Sequence, residues 1–229
     1  MPISEVYNCD CIEFMRTMPD KKIDLVIADP PYGISESGAK TQTRGILAKP
    51  TYYAVKNWDE KSPEQTFFDE LRRISKKQII WGANHFISKI SIDSPCWLVW
   101  DKQNGNNDFA DCELAWTNFP TAVRRFTFRW QGMLQGDMKN KEMRIHPTQK
   151  PVALYKWILQ NYGNKVKSIF DPMMGSQSSR IAAYKAGFDY YGCELDKEYF
   201  EKGNERFEKE CKGIIRTKNG KQIQQLTLF

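Results

Sequence analysis

The sequence predicts an α/β domain of Rossmann-like plan: a mostly parallel central sheet with an antiparallel edge and helices on both faces. Three observations carry this. Short apolar runs rich in Val and Ile, at Ile23–Ala28 and Val166–Phe170, alternate with stretches of helical period, as βαβ crossovers require. Both runs stop at Asp-Pro (Asp29-Pro30, Asp171-Pro172), and a proline fixes its own φ while barring helix from its predecessor, so the chain leaves each strand extended. Finally, Val166 to Glu194 reads strand, Gly175 turn, helix, strand, acid, the order by which such a sheet holds a nucleoside at its carboxyl ends.

In chain order, Val6–Cys11 reads as a short strand and polar turn, followed by a small amphipathic helix with Ile12, Phe14, Met15 and Met18 on one face. Asp10 either caps that helix or accepts from a ligand, and both can hold at once. The buried strand Ile23–Ala28 then presents, within four residues, the Asp29 carboxylate, the Pro30 carbonyl and the Tyr32 ring. These groups suit a nucleobase amine, a poor nucleophile because its lone pair is delocalised into the ring. Two acceptors on its hydrogens favour the pyramidal form, and an aromatic ring stacks on the base.

From Gly33 to Asp59 the hydrophobic period vanishes, and Lys40, Arg44, Lys49, Tyr52, Tyr53 and Lys56 stand out. So long an aperiodic stretch beside such a turn reads as a lid or binding loop suited to phosphates and bases, against the alternative of a solvated loop. Pro63–Ile74 carries Phe67, Phe68, Leu71 and Ile74 at helical spacing, with Arg72, Arg73 and Lys76 toward the negative end of the dipole. Gln78–Trp81 and Cys96–Trp100 read as further buried strands, and Cys112–Phe119 with Val123–Phe128 as the antiparallel edge pair. His85 reads as structural, since a methylated amine loses its proton readily to water and needs no base. Residues 129–145 again lack period. Pro151 suits the first turn of a helix with Val152, Leu154, Tyr155, Ile158 and Leu159; Ser178–Ala186 and the stretch after Asp196 give two more helices around the strand Tyr190–Glu194.

Asp29-Pro30-Pro31-Tyr32 resembles the catalytic motif of the S-adenosylmethionine-dependent amino methyltransferases that act on DNA. His146-Pro147-Thr148-Gln149-Lys150-Pro151 is similar to the motif that precedes the cofactor strand in the β-arrangement of these enzymes. It separates the chain from RNA and protein methyltransferases, which share the tetrapeptide. The resemblance runs from Asp10 to about Phe207 and implies a methyltransferase fold. It further implies S-adenosylmethionine as cofactor, double-stranded DNA as substrate, and Asp29, Pro30 and Tyr32 as catalytic. An aspartate opening the tetrapeptide accompanies adenine N6 more often than cytosine N4 methylation, which leaves cytosine as the alternative.

The same resemblance puts Asp10, with Cys11 beside it, at the cofactor's adenine; Thr148 and Lys150 at its carboxylate, unless they merely open a helix; Asp171, Gly175 and Ser176 in its cradle; and Glu194 on its ribose. Lys40, Arg44, Lys49 and Tyr52 are expected on DNA, as are Arg129 and Lys139 in a target-recognition segment so short that it implies a brief site or help from a second subunit in a homodimer. One departure stands out. The family usually has a second glycine where this chain has Gln177, and if that position needs positive φ or close approach, cofactor affinity suffers. A catalytically weak DNA-binding subunit is therefore a second alternative.

The 229 residues, 41% of them hydrophobic, suffice for one core, so a single domain is expected: a catalytic half over about 1–125, a recognition segment over about 126–145, a cofactor half over about 146–210 and a polar tail over 211–229. The net charge of +6 permits a polyanionic partner without demanding one. Six cysteines without a CxxC pair, and only two histidines, argue for reduced thiols over a disulfide or metal framework. Glu5, Asp10, Glu13 and Asp20 near the start argue against a signal peptide, and no apolar run approaches membrane length, so a cytoplasmic protein of a bacterium or its phage is expected. Gln225–Phe229 resembles the peptide that bacterial polymerases and repair proteins insert into the sliding clamp, although such an end can equally pack home.

Overall fold

The computed structural model describes residues 1–34, 59–105, 110–131, 134–216 and 222–224. Strand β1 (Ser4–Tyr7) leads into helix α1 (Cys11–Thr17), whose free N–H groups at Ile12 and Glu13 are taken by the Asp10 carboxylate at 2.8 and 3.0 Å. The apolar run becomes β2 (Ile23–Ala28), in which Leu25, Val26 and Ala28 are wholly buried. Helix α2 (Gln65–Ile74) buries the four residues its periodicity singled out and passes directly into β3 (Ser75–Trp81). A 3-10 turn (Ala83–His85) and the short helix α3 (Ile87–Ile90) precede β4 (Trp97–Asp101), β5 (Cys112–Thr117) and β6 (Arg124–Thr127).

Within 129–145, where no regular structure was expected, β7 (Trp130–Gln131) pairs with β8 (Leu134–Gln135) as a short hairpin. The second half runs α4 (Val152–Tyr162), β9 (Ser168–Asp171), α5 (Ser178–Ala186), β10 (Asp189–Cys193) and α6 (Lys197–Phe207), the last capped by Asp196 at the Tyr199 N–H. A small ribbon of β11 (Ile214–Arg216) and β12 (Gln222–Gln224) follows.

The main sheet has the order β1-β10-β9-β2-β3-β5-β4-β6. Its pairs are parallel except those of β5, which runs against both β3 and β4. This corrects one expectation: 112–119 and 123–128 are not partners. Strand β5 is inserted in the interior, and β6 forms the edge, parallel to β4. Helices lie on both faces. Leu25 and Ile27 of β2 share a cluster with Leu154 and Ile158 of α4 and Ala182 of α5, whereas Val26 and Ala28 face Met15 of α1 and Phe67, Phe68 and Leu71 of α2. Burying each large apolar side chain stabilises by about 1.5–3 kcal/mol relative to exposure.

The chain diverges between β9 and β2, the switch point at which open α/β sheets bind ligands. Asp24 fixes the alignment there: its carboxylate accepts from the Lys167 and Ser168 N–H groups at 2.9 and 3.2 Å and pairs with Lys76 at 2.7 Å. Among the described residues no helix is long and apolar enough to cross a membrane.

Candidate active site

Two acidic corners meet at the switch point. Because β2 and β9 are parallel neighbours in the register Leu25↔Ile169 and Val26↔Phe170, Asp29 just past β2 and Asp171 ending β9 emerge side by side.

At the first corner the Tyr32 hydroxyl donates to Asp29 Oδ1 at 2.9 Å. The turn is held from behind: Asp59 Oδ1 accepts from the Tyr32 and Gly33 N–H groups at 2.6 and 3.0 Å. Gly82 follows β3 with φ +68°, and a Cβ there would lie 2.0 Å from the Tyr32 ring, so only glycine lets that ring rest on the backbone. His85 stacks on the same ring, centroids 5.0 Å apart and 14° from parallel, a packing role consistent with its structural reading.

The Asp29 carboxylate, its side chain 19% exposed, has a buried cation against it. Lys150, 5% exposed, donates from Nζ to Asp29 Oδ1 at 2.6 Å and to the Tyr32 oxygen at 3.1 Å, and pairs with Glu113 Oε2 at 2.9 Å. Glu113, on the reversed strand β5, also contacts the Lys102 ammonium. The environments push the two acids apart. Burial, with the Glu113 charge adding to it, raises the Asp29 pKa against the pull of Lys150. Burial also works to raise that of Glu113, but the Lys150 and Lys102 cations outweigh it and hold the group at about 2. For Lys150, burial favours the neutral amine, and the two carboxylates overcome it to raise the pKa. Lys150 is expected at a cofactor carboxylate from the resemblance; in this structure its ammonium is engaged at the Asp29 corner.

At the second corner Asp171 is 2% exposed, accepting from the Ser179 hydroxyl at 2.5 Å and the Met173 N–H at 3.1 Å. Burial pushes its pKa up to about 7 despite these donors, with the Asp29 and Glu194 charges adding to the rise. Glu194, just past β10, accepts from the Gly175 N–H at Oε2 and the Asp196 N–H at Oε1, both at 2.8 Å. The Asn8 amide ties the β1 turn to the Glu194 and Leu195 carbonyls at 2.7 and 3.0 Å, which brings Asp10 to the same end of the sheet. A carboxylate fixed by backbone donors and retaining lone pairs fits ribose hydroxyls, so this donor and acceptor set fits a nucleoside cofactor.

The remaining residues divide. Cys11 is buried in the first turn of α1, and Ser176 is buried with its hydroxyl 3.1 Å from that of Ser178. Thr148 is exposed, its hydroxyl 3.1 Å from His146 Nδ1. Arg129 and Lys139 are exposed. Lys40, Arg44, Lys49, Tyr52 and the Gln225–Phe229 peptide lie outside the described residues.

Gln177 adopts φ +59°, the conformation suspected from the missing glycine. Its amide is turned away from the strand ends, accepting from Arg180 Nη1 at 2.8 Å and lying 3.3 Å from the Phe200 carbonyl and Asn204 Oδ1, and Gly203 opposite leaves the room. Sequence reasoning missed Glu113 and Asp59. The available signals were a charge inside an apolar strand and an acid closing a long aperiodic stretch.

Residues 99–205 match the family model for N6/N4 methyltransferases described as DNA methylase. The chain is 25% identical over 241 aligned residues to the type II methyltransferase M2.MboI of Moraxella bovis, covering 88% of this chain and 86% of that protein. Its fold is similar to that of the M1.HpyAVI–SAM complex (TM-score 0.55, 19% identity, 88% of this chain and 98% of the other). It is also similar to the cytosine-N4-specific PvuII DNA methyltransferase (TM-score 0.54, 11% identity, 89% and 86% coverage).

Proposed function

We propose, from its similarity to DNA methylases, that this chain transfers a methyl group from S-adenosylmethionine to the exocyclic N6 of adenine in double-stranded DNA. The adjacency of Asp29 and Asp171 on neighbouring parallel strands carries the reading, since it sets a nucleoside-holding corner beside an amine-gripping one. Asp29 and the Pro30 carbonyl accept the two amine hydrogens, which localises the lone pair on nitrogen. Tyr32 orients the Asp29 carboxylate through its hydroxyl and offers ring surface to a base flipped from the stack.

Glu194 would hold the ribose, and Asp10, Gly175 and Asp171 line the same end of the sheet. S-adenosylmethionine, when bound, supplies an electrophilic methyl on sulfur. The amine held by Asp29 and the Pro30 carbonyl would take that methyl as the C–S bond breaks to leave a neutral thioether, and its proton would pass to water. No covalent enzyme intermediate is needed. Engagement of the Gln177 amide with α5 and α6 favours this reading over a cofactor-poor binding subunit.

Nucleoside mass spectrometry after incubation with DNA and S-adenosylmethionine tests the base: N6-methyladenine is expected, and N4-methylcytosine would overturn the choice of adenine. Asp29→Ala should abolish methyl transfer while calorimetry still finds the cofactor bound; a fully active variant would refute the role of Asp29.

A further inference from the structure

Oδ1 of Asp29 already accepts from two donors, the Tyr32 hydroxyl and the Lys150 ammonium. Lys150 Nζ lies 2.6 Å from Asp29 Oδ1, nine-tenths and more buried, and it holds the hydrogen-bonding place of a target amine: a nitrogen donating to this carboxylate beside the Tyr32 ring. An ammonium and a base amine are both donors, so they compete at Oδ1, whose second lone pair already takes the Tyr32 hydroxyl, and a target amine engages that oxygen only if the ammonium has somewhere else to go. The cluster contains that place. Glu113 Oε2 is 2.9 Å from the same Nζ, on a strand that crosses the sheet against its neighbours, and the Lys102 ammonium holds its other oxygen. Two carboxylates face two ammonium groups, so charge stays balanced whichever acid Lys150 favours.

Resting on the methyl-transfer reading above, we infer that Glu113 is a positioning residue for the reaction, drawing the Lys150 ammonium aside so that Asp29 can accept the target amine. Glu113 touches no reacting atom; it acts through Lys150. The opposite pulls on the two acids agree with this, because the one held ionised is the better permanent partner for a cation.

Removing Glu113 should leave the ammonium fixed on Asp29, and removing Lys150 as well should relieve the competition. With saturating DNA and S-adenosylmethionine, single-turnover methyl transfer by Glu113→Gln is expected to fall roughly 10- to 100-fold. The double variant Glu113→Gln, Lys150→Met, which restores charge balance, is expected to be faster than Glu113→Gln alone. A purely structural Glu113 gives no such recovery, because a second core substitution deepens a packing defect. Should Glu113→Gln fail to fold by circular dichroism, Glu113→Asp, which keeps the charge but withdraws the oxygen, takes its place. Wild-type rates in the single variant, or a double variant as slow as the single one, overturn the inference while leaving the methyl-transfer reading intact. A wild-type protein inert on DNA overturns that reading and this role with it.

Discussion

Gln177 departs from glycine in the left-handed region, where an L side chain costs about 1–2 kcal/mol, yet its buried amide receives a hydrogen bond from Arg180, itself buried. Gln177→Gly relieves the backbone but strips an acceptor from that guanidinium, so a net destabilisation of about 1 kcal/mol by urea denaturation is expected. The sequence flagged the position through a missing glycine. It did not reveal the compensation, because Gly203 makes room from a helix far along the chain. Asp171 gives a second test at this scale. Its folded pKa of about 7 lies above the unfolded value of ~3.9, so the folded state keeps a proton the unfolded state has lost, and stability falls as pH rises between those values. Asp171→Asn has no such slope. Its melting temperature relative to wild type should shift in the variant's favour on going from about pH 5 to about pH 8, and a constant difference would refute the buried protonated acid.

Among the elements, helices α1, α2, α4, α5 and α6 and the β2, β9 and β10 strands were legible because their apolar period matches their burial. The direction of β5 was not, since alternation of side chains is the same for either direction. Chain length held the missing information: the short connection 102–111 cannot carry the crossover that a parallel return from β4 needs. Asp24 then locks β2, β3 and β9 together. Burial favours its neutral form, but Lys76 and the Lys167 and Ser168 N–H groups outweigh that and bring its pKa to about 2. Stability from this group is complete above the unfolded value of ~3.9 and is lost as pH falls through the folded value; it amounts to about 1 kcal/mol after solvent screening. Asp24→Asn should therefore lower the melting temperature at neutral pH and converge on wild type near pH 2. A second clasp joins α6 to the segment before α4: Glu142 accepts from Arg206 at 2.7 Å and from the Val152 N–H at 2.9 Å. Glu142→Ala leaves both donors short of a partner, and a loss of about 1–3 kcal/mol in chemical denaturation is expected.

Across the whole molecule, the meeting of Asp29 with Asp171 was foreseeable from two strands that each end in Asp-Pro. The Lys150–Glu113 contact was not, because it joins a loop to a strand through side-chain reach alone. On the proposed reading, Lys and Arg contacts to DNA phosphates release counterions, so sub-saturating methylation rates should fall markedly between about 50 and 200 mM salt. The clasp of Asp59 on Tyr32 and Gly33 carries further than the geometry of one turn. It joins backbone positions 27 and 26 residues apart in sequence, and the entropy of closing a chain segment grows only with the logarithm of its length, by about 0.6 kcal/mol per doubling. A change in the length of sequence between these two points therefore costs the turn that holds Tyr32 little, which makes this a place where the chain can be lengthened or shortened without reopening the corner at Asp29.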